Sequence, residues 1–172
     1  MDISKSDFIL EKIKKSKTRD VEAEINEDTE MMVIIRLRQK AFAFYGIFIK
    51  EILPYEWITQ VPGTPDLVLG VINVRGTIES VLNIHKALNQ GDAISTKSSR
   101  IMIAQGKKIR SGILVDSVLD VSAFPKKNIR PPVTEEKKGI FEFISGELEI
   151  KENHLIPILD VDKIFKSVLN RP

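Results

Sequence analysis

Histidine comes first among the residues that could do chemistry, because an imidazole can ligate a metal or move a proton near neutrality. There are two, His85 and His154. Neither stands in an HExxH spacing, and without a cysteine in the 172 residues there is no thiolate to complete a zinc set and no cysteine nucleophile. Both are read as surface or edge residues. The glycines fall singly, so no phosphate-cradling loop is predicted; Gly63, Gly70 and Gly76 mark turns or close backbone approaches. Carboxylates are plentiful, but no pair is placed by sequence in a cleft where one could act as acid and the other as base. No catalytic residue, metal site or cofactor is expected. Arg75 is unusual for another reason: in "VLGVINVRGTIESVLNI", residues 68–84, it interrupts two apolar runs that each read as a strand. It is either a turn residue beside the permissive Gly76 or a group presented to a partner.

The composition bounds what could position such residues. At 42% hydrophobic the chain can bury one substantial core or two small ones, and a net charge of +2 is too mild to demand a polyanionic partner. The absence of cysteine suits a reducing compartment, and the N-terminus lacks the apolar core of a secretion signal. No run approaches the ~20 apolar residues of a membrane span. The cytoplasm is the expected location.

Residues 1–30 differ from the rest: six basic residues lie between Lys5 and Arg19, followed by "DVEAEINEDTE" with six acidic ones. Ile3, Leu10 and Ile13, with Phe8 or Ile9, could stripe one short amphipathic helix, but a flexible charged extension is the simpler reading. The domain is placed at 31–172. There, short apolar or alternating runs separated by Gly, Pro, Asn and Lys predict a mainly β fold. Strands are expected at "MMVIIRLRQ", "AFAFYGIFI", "ITQVP", "VLGVINVR", "IESVLNI", "RIMIAQG", "IRSGILVDSV", "IFEFISGELEI" and "LIPILD". Two short helices are expected, at "IHKALNQG" and "DVDKIFKSVLN", the second with Val161, Ile164, Phe165 and Val168 on one face.

Each helix follows a similar strand, "SVLNIHKAL" and "PILDVDKIF", at an offset of 160 − 83 = 77. Upstream, "AFYGIFIKEI" aligns with "GILVDSVLDV" at an offset of 112 − 43 = 69, pairing Glu51 with Asp120. Two matched blocks in the same order imply one β unit used twice, each a small barrel of around five strands, since closure removes exposed edges. The barrels are placed at about 39–90 and 96–165, with exchange of terminal strands between them left open.

These residues resemble the CheW-like coupling domain of bacterial and archaeal chemotaxis systems over most of Met31 to Leu169. "GVINVRG" is similar to that family's most characteristic stretch, "VLNIHKAL" to the strand and helical turn after it, and "SGILVDSVLDVSAFPKKNIRPP" and "LIPILDVDKIF" to the second half. Ser80 and Asn83 stand where the family commonly has proline and aspartate; Asn83 can still cap a helix. The resemblance implies two SH3-like β-barrels, with short helices after the last strand of each half. It also implies a non-enzymatic adaptor joining the cytoplasmic tip of a chemoreceptor to the regulatory domain of a CheA-type histidine kinase, without direct membrane insertion. It suggests Ile49, Glu51, Gly70, Arg75 and Val118 as receptor-binding residues, Arg75 pairing with Glu51; for Ile49 and Val118, core packing is an equal reading. Phe124, Lys126, Lys127 and Arg130 are kinase-side candidates, or else a solvated loop.

A different class of binder remains open, because small β-barrels also bind nucleic acid through a basic face with stacking aromatics. From Met31 onward 20 basic residues against 15 acidic leave 20 − 15 = +5, with local patches at Lys107, Lys108, Arg110, Lys126, Lys127 and Arg130. Against this, Phe42, Phe44, Phe141 and Phe143 alternate as core strand residues do, leaving only Tyr55 and Trp57 to stack.

Overall fold

The computed structural model describes residues 28–133 and 138–170, so the proposed N-terminal extension lies almost wholly outside the described residues. Among the described residues, eleven strands and two α-helices follow in order. These are β1 (Thr29–Leu37), β2 (Lys40–Tyr45), β3 (Ile49–Pro54), β4 (Val68–Val74), β5 (Thr77–Asn83), α1 (Ile84–Ala87), β6 (Arg100–Gln105), β7 (Arg110–Val115), β8 (Ser117–Pro125), β9 (Ile129–Arg130), β10 (Ile144–Lys151), β11 (His154–Leu159) and α2 (Val161–Leu169).

The strands form two sheets, ordered β3-β6-β7-β5-β4 and β8-β1-β2-β11-β10-β9. The first five strands of each order correspond. Both contain one parallel contact in the same place, β5 with β7 and β11 with β2, and the other pairings are antiparallel. The register repeats at the sequence offsets: Val81 faces Gly112 as Ile158 faces Ala43, and Glu51 faces Ile103 as Asp120 faces Ile34. The internal repeat is therefore a structural one, and the molecule is built from two β subdomains.

Each subdomain closes by a similar device. After β3 the chain returns to β4 through a Thr59–Val71 bridge, and a Cβ on Gly70 would lie 2.1 Å from the Thr59 carbonyl oxygen. After β8 a 3-10 turn at Lys126–Asn128 leads into β9, which pairs with β10, and a Cβ on Gly146 would lie 2.8 Å from the Arg130 carbonyl oxygen. The expected "ITQVP" strand is thus only a bridge, while its counterpart is a two-residue sixth strand.

Sheet membership crosses the expected barrel boundaries more deeply than an exchange of terminal strands. β6 and β7, from the later half, complete the sheet of β3–β5, whereas β1 and β2 join β8–β11. The reason is burial on both faces. Along β1, Val33, Ile35 and Leu37 enter a core shared by the two subdomains, while Met32 and Ile34 enter the six-stranded subdomain's own core. Along β6, Met102 and Ala104 enter the shared core, while Ile101 and Ile103 enter the five-stranded subdomain's own. Doubly buried strands read as uninterrupted apolar runs, as in "MVII" from Met32 and "IMIA", because neither face meets water.

The helices complete the shared core. Asp160 caps α2 by accepting from the Lys163 amide at 3.1 Å, and Val161, Ile164 and Phe165 are buried at helical spacing. Asn83 caps the four-residue α1 in the same way, accepting from the Lys86 amide at 3.2 Å. One expectation about the aromatics changes: Phe141 lies in a 3-10 turn, Gly139–Phe143, and is exposed, because β10 begins only at Ile144.

Candidate partner-binding site

Arg75 and Gly76 form the whole β4–β5 connection, with Val74 opposite Thr77. Both turn residues have positive φ, 51° and 89°, as the tight hairpin turn matching strand twist requires. The Asn73 side-chain oxygen accepts from the Gly76 amide at 2.7 Å and fixes the turn. From there the Arg75 guanidinium donates to Glu51 on β3, Nη2 to Oε1, at 2.6 Å. Arg75 is thus both a turn residue and a paired one.

Exposure decides what this pair can do. The Arg75 side chain is 81% exposed and that of Glu51 22%, so solvent screens the contact and its stabilising effect is at most about 1 kcal/mol. Its consequence is orientation: a planar fork held at one end presents its remaining donors in a fixed direction.

The other receptor-side candidates divide. Ile49, two residues before Glu51 on β3, and Val118 on β8 are half-buried and pack against the shared core, occupying equivalent positions in the repeat. Gly70 is buried, and its observed role is to admit the Thr59 backbone. The structure therefore brings Glu51 and Arg75 into direct contact and seats Ile49 and Val118 on one core.

The second group gathers around the β8–β9 connection. Phe124 is half-buried against the six-stranded subdomain's own core. Lys126 donates to Asp28 at 2.8 Å, and this hydrogen bond and the aspartate's charge raise the lysine's pKa. Lys127 is exposed in the same turn. Arg130 is ion-paired with Glu149, whose backbone carbonyl also accepts from Asn128 at 3.1 Å. Arg110, from another supposed basic patch, is paired at 2.6 Å with Glu79. These carboxylates neutralise much of the basic surface that a nucleic-acid reading needs. Tyr55 and Trp57 are exposed on the segment after β3, Trp57 at 85%.

The surface expectation for His85 is overturned. It is fully buried, with Nε2 2.8 Å from Asp116 Oδ1, while His154 is half-buried in β11. The available sequence signal was position: His85 lies inside the apolar segment after the capping Asn83, at the repeat equivalent of Asp162. Among the described residues no group of three or more His, Asp or Glu side chains is placed to hold a metal, and no helix is long and apolar enough to cross a membrane.

Twin β subdomains around a shared core define the class as a two-subdomain, mainly β protein. The family model for the CheW-like domain matches residues 31–169, and the chain belongs to that family. It is 30% identical over 138 residues to the chemotaxis protein CheW of Rhizobium meliloti (strain 1021), covering 79% of this chain and 87% of that one. It is 32% identical over 127 residues to the chemotaxis protein CheW of Klebsiella aerogenes, covering 72% and 75%. The crystal structure of the scaffolding protein TtCheW from Thermoanaerobacter tengcongensis matches with a TM-score of 0.72 at 25% identity, over 81% of this chain and 94% of that one.

Proposed function

We propose that this protein is a non-catalytic adaptor of chemotaxis signalling. It couples the cytoplasmic tip of a chemoreceptor to the regulatory domain of a CheA-type histidine kinase, on the cytoplasmic side of the membrane. Family membership supports the adaptor role, and the observation that carries the receptor-side reading is the Arg75–Glu51 contact on a two-residue turn. A receptor tip made of helices would meet an apolar surface rimmed by polar groups. Ile49 and Val118 supply apolar surface, Gly70 the closed strand beside it, and Arg75 with Glu51 the oriented rim. The kinase side falls to Phe124, Lys126, Lys127 and Arg130, whose ion pairs with Asp28 and Glu149 hold that loop in shape. Against nucleic-acid binding stand family membership and the acids paired with Arg110, Lys126 and Arg130.

The test reconstitutes receptor, kinase and this protein and follows kinase autophosphorylation. Arg75→Glu is expected to lose receptor control of the kinase while remaining folded, and adding Glu51→Arg to recover part of it. Normal coupling by both single variants would remove Arg75 and Glu51 from the receptor surface. Salt-sensitive retention on a phosphate-rich matrix, without binding to receptor or kinase, would favour nucleic acid.

A further inference from the structure

The two subdomains are tied to each other at equivalent places, but by different chemistry. In one tie, Asp162 of α2, which follows the six-stranded sheet, crosses to the β6–β7 hairpin of the other sheet and accepts directly from the Lys107 amide at 2.8 Å. Gly106 makes room, since a Cβ there would lie 2.4 Å from Asp162 Oδ1. The equivalent hairpin amide in the other half belongs to Arg38, between β1 and β2, and the residue equivalent to Asp162 is His85 of α1. An imidazole presents no carboxylate to a backbone amide. A third residue intervenes: Asp116, at the crossing from β7 to β8, accepts from the Arg38 amide through Oδ2 at 2.5 Å and meets His85 Nε2 through Oδ1 at 2.8 Å. Its own amide donates to the Arg36 carbonyl at 3.2 Å. No glycine is required at the position equivalent to Gly106, which is the buried Leu37.

The geometry points to a His85–Asp116 relay that latches helix α1 of the five-stranded subdomain to the β1–β2 hairpin of the six-stranded one. A carboxylate can only accept, so Nε2 carries a proton and donates to Asp116, while Nδ1 is buried without a hydrogen-bond partner. The relay holds Asp116 with both oxygens engaged. Arg38 sits at φ 56°, a conformation a non-glycine residue keeps only when its surroundings fix it. Its guanidinium also donates to the Asp92 carbonyl, beyond α1, at 2.5 Å, so the hairpin is held from the same side twice. Without His85, Asp116 would be free to turn, and the Arg38 amide would lose its acceptor while Lys107 kept its own. The latch lies in the fold itself, whichever proteins the surfaces bind.

Amide hydrogen exchange on the full chain reads the two ties separately. His85→Leu, a volume-tolerant change in an apolar site, should speed exchange at Arg38 about tenfold and leave Lys107 unchanged, whereas Asp162→Ala should do the reverse. Unchanged Arg38 exchange in His85→Leu, or equal acceleration of both amides, would overturn the relay. A measurement on the unaltered protein guards against a variant that does not fold: nitrogen shifts of the His85 ring should show a protonated Nε2, and a bare Nε2 would equally overturn it.

Discussion

At the scale of single residues, two glycines separate a steric requirement from a conformational one. Gly70 and Gly76 both have positive φ, 145° and 89°, but only Gly70 faces another backbone, Thr59, where a Cβ would fit at no reasonable distance. Gly76 has open space around it. Gly70→Ala should therefore cost about 3 kcal/mol or more in chemical denaturation, and Gly76→Ala about 1 kcal/mol. Equal losses would mean that the closure at Thr59 yields easily. Titration adds a second expectation. Burial, and then the charge of Glu30, raise the Tyr45 pKa, and Asp28 raises that of Lys126. A group whose folded-state pKa lies above its unfolded value contributes stability that is complete below the unfolded value and lost as pH rises through the folded one. The ordinary values are 10.0 and 10.5, so stability should decline on the alkaline side of about pH 10. Glu30→Gln should move the Tyr45 phenolate absorbance transition to lower pH without restoring the ordinary value, because burial is the larger cause. A transition that does not move would place Tyr45 outside the reach of Glu30.

At the scale of elements, Asn83 and Asp160 perform the same cap in the two halves, each accepting from the amide three residues on. Asn83→Ala and Asp160→Ala should each cost about 1 kcal/mol by thermal or urea melts, with faster exchange confined to the adjoining helix. Loss spread evenly over both sheets would show that the caps act on the whole fold instead. These elements also show what the sequence made legible. The offsets of 69 and 77 rest on local patterns, apolar runs and capped turns, and the strand registers reproduce them. Sheet membership was not legible, because a strand buried on both faces has the same apolar sequence whichever neighbour it takes. Nor was the partner of His85, since Asp116 lies 31 residues away. Arg75 was legible as a turn residue from Gly76, and its contact with Glu51 was reached through family resemblance, since nothing local links positions 24 apart.

At the scale of the molecule, the shared core decides whether two subdomains behave as one body. Phe42 and Phe44 enter it from the six-stranded sheet, Met102 and Ile113 from the five-stranded sheet, and Ile164 and Phe165 from α2. Neither subdomain can unfold alone without exposing the apolar face it gives to the other, and the chain crosses between them after β2 and again after β7. That exposed face costs about 25 cal/mol per Å², so partial unfolding is strongly disfavoured. Phe165→Ala should then cost about 3–5 kcal/mol and lower the stability of both sheets together. Urea unfolding followed at amides of β4–β5 and of β10–β11 should give one coincident transition, shifted equally by the substitution. Two separated transitions would mean that the subdomains are hinged units. For an adaptor the distinction is mechanical: surfaces on a single body keep a fixed mutual orientation, so a partner at the proposed Arg75 surface would constrain where a partner at the proposed Lys126 surface could stand.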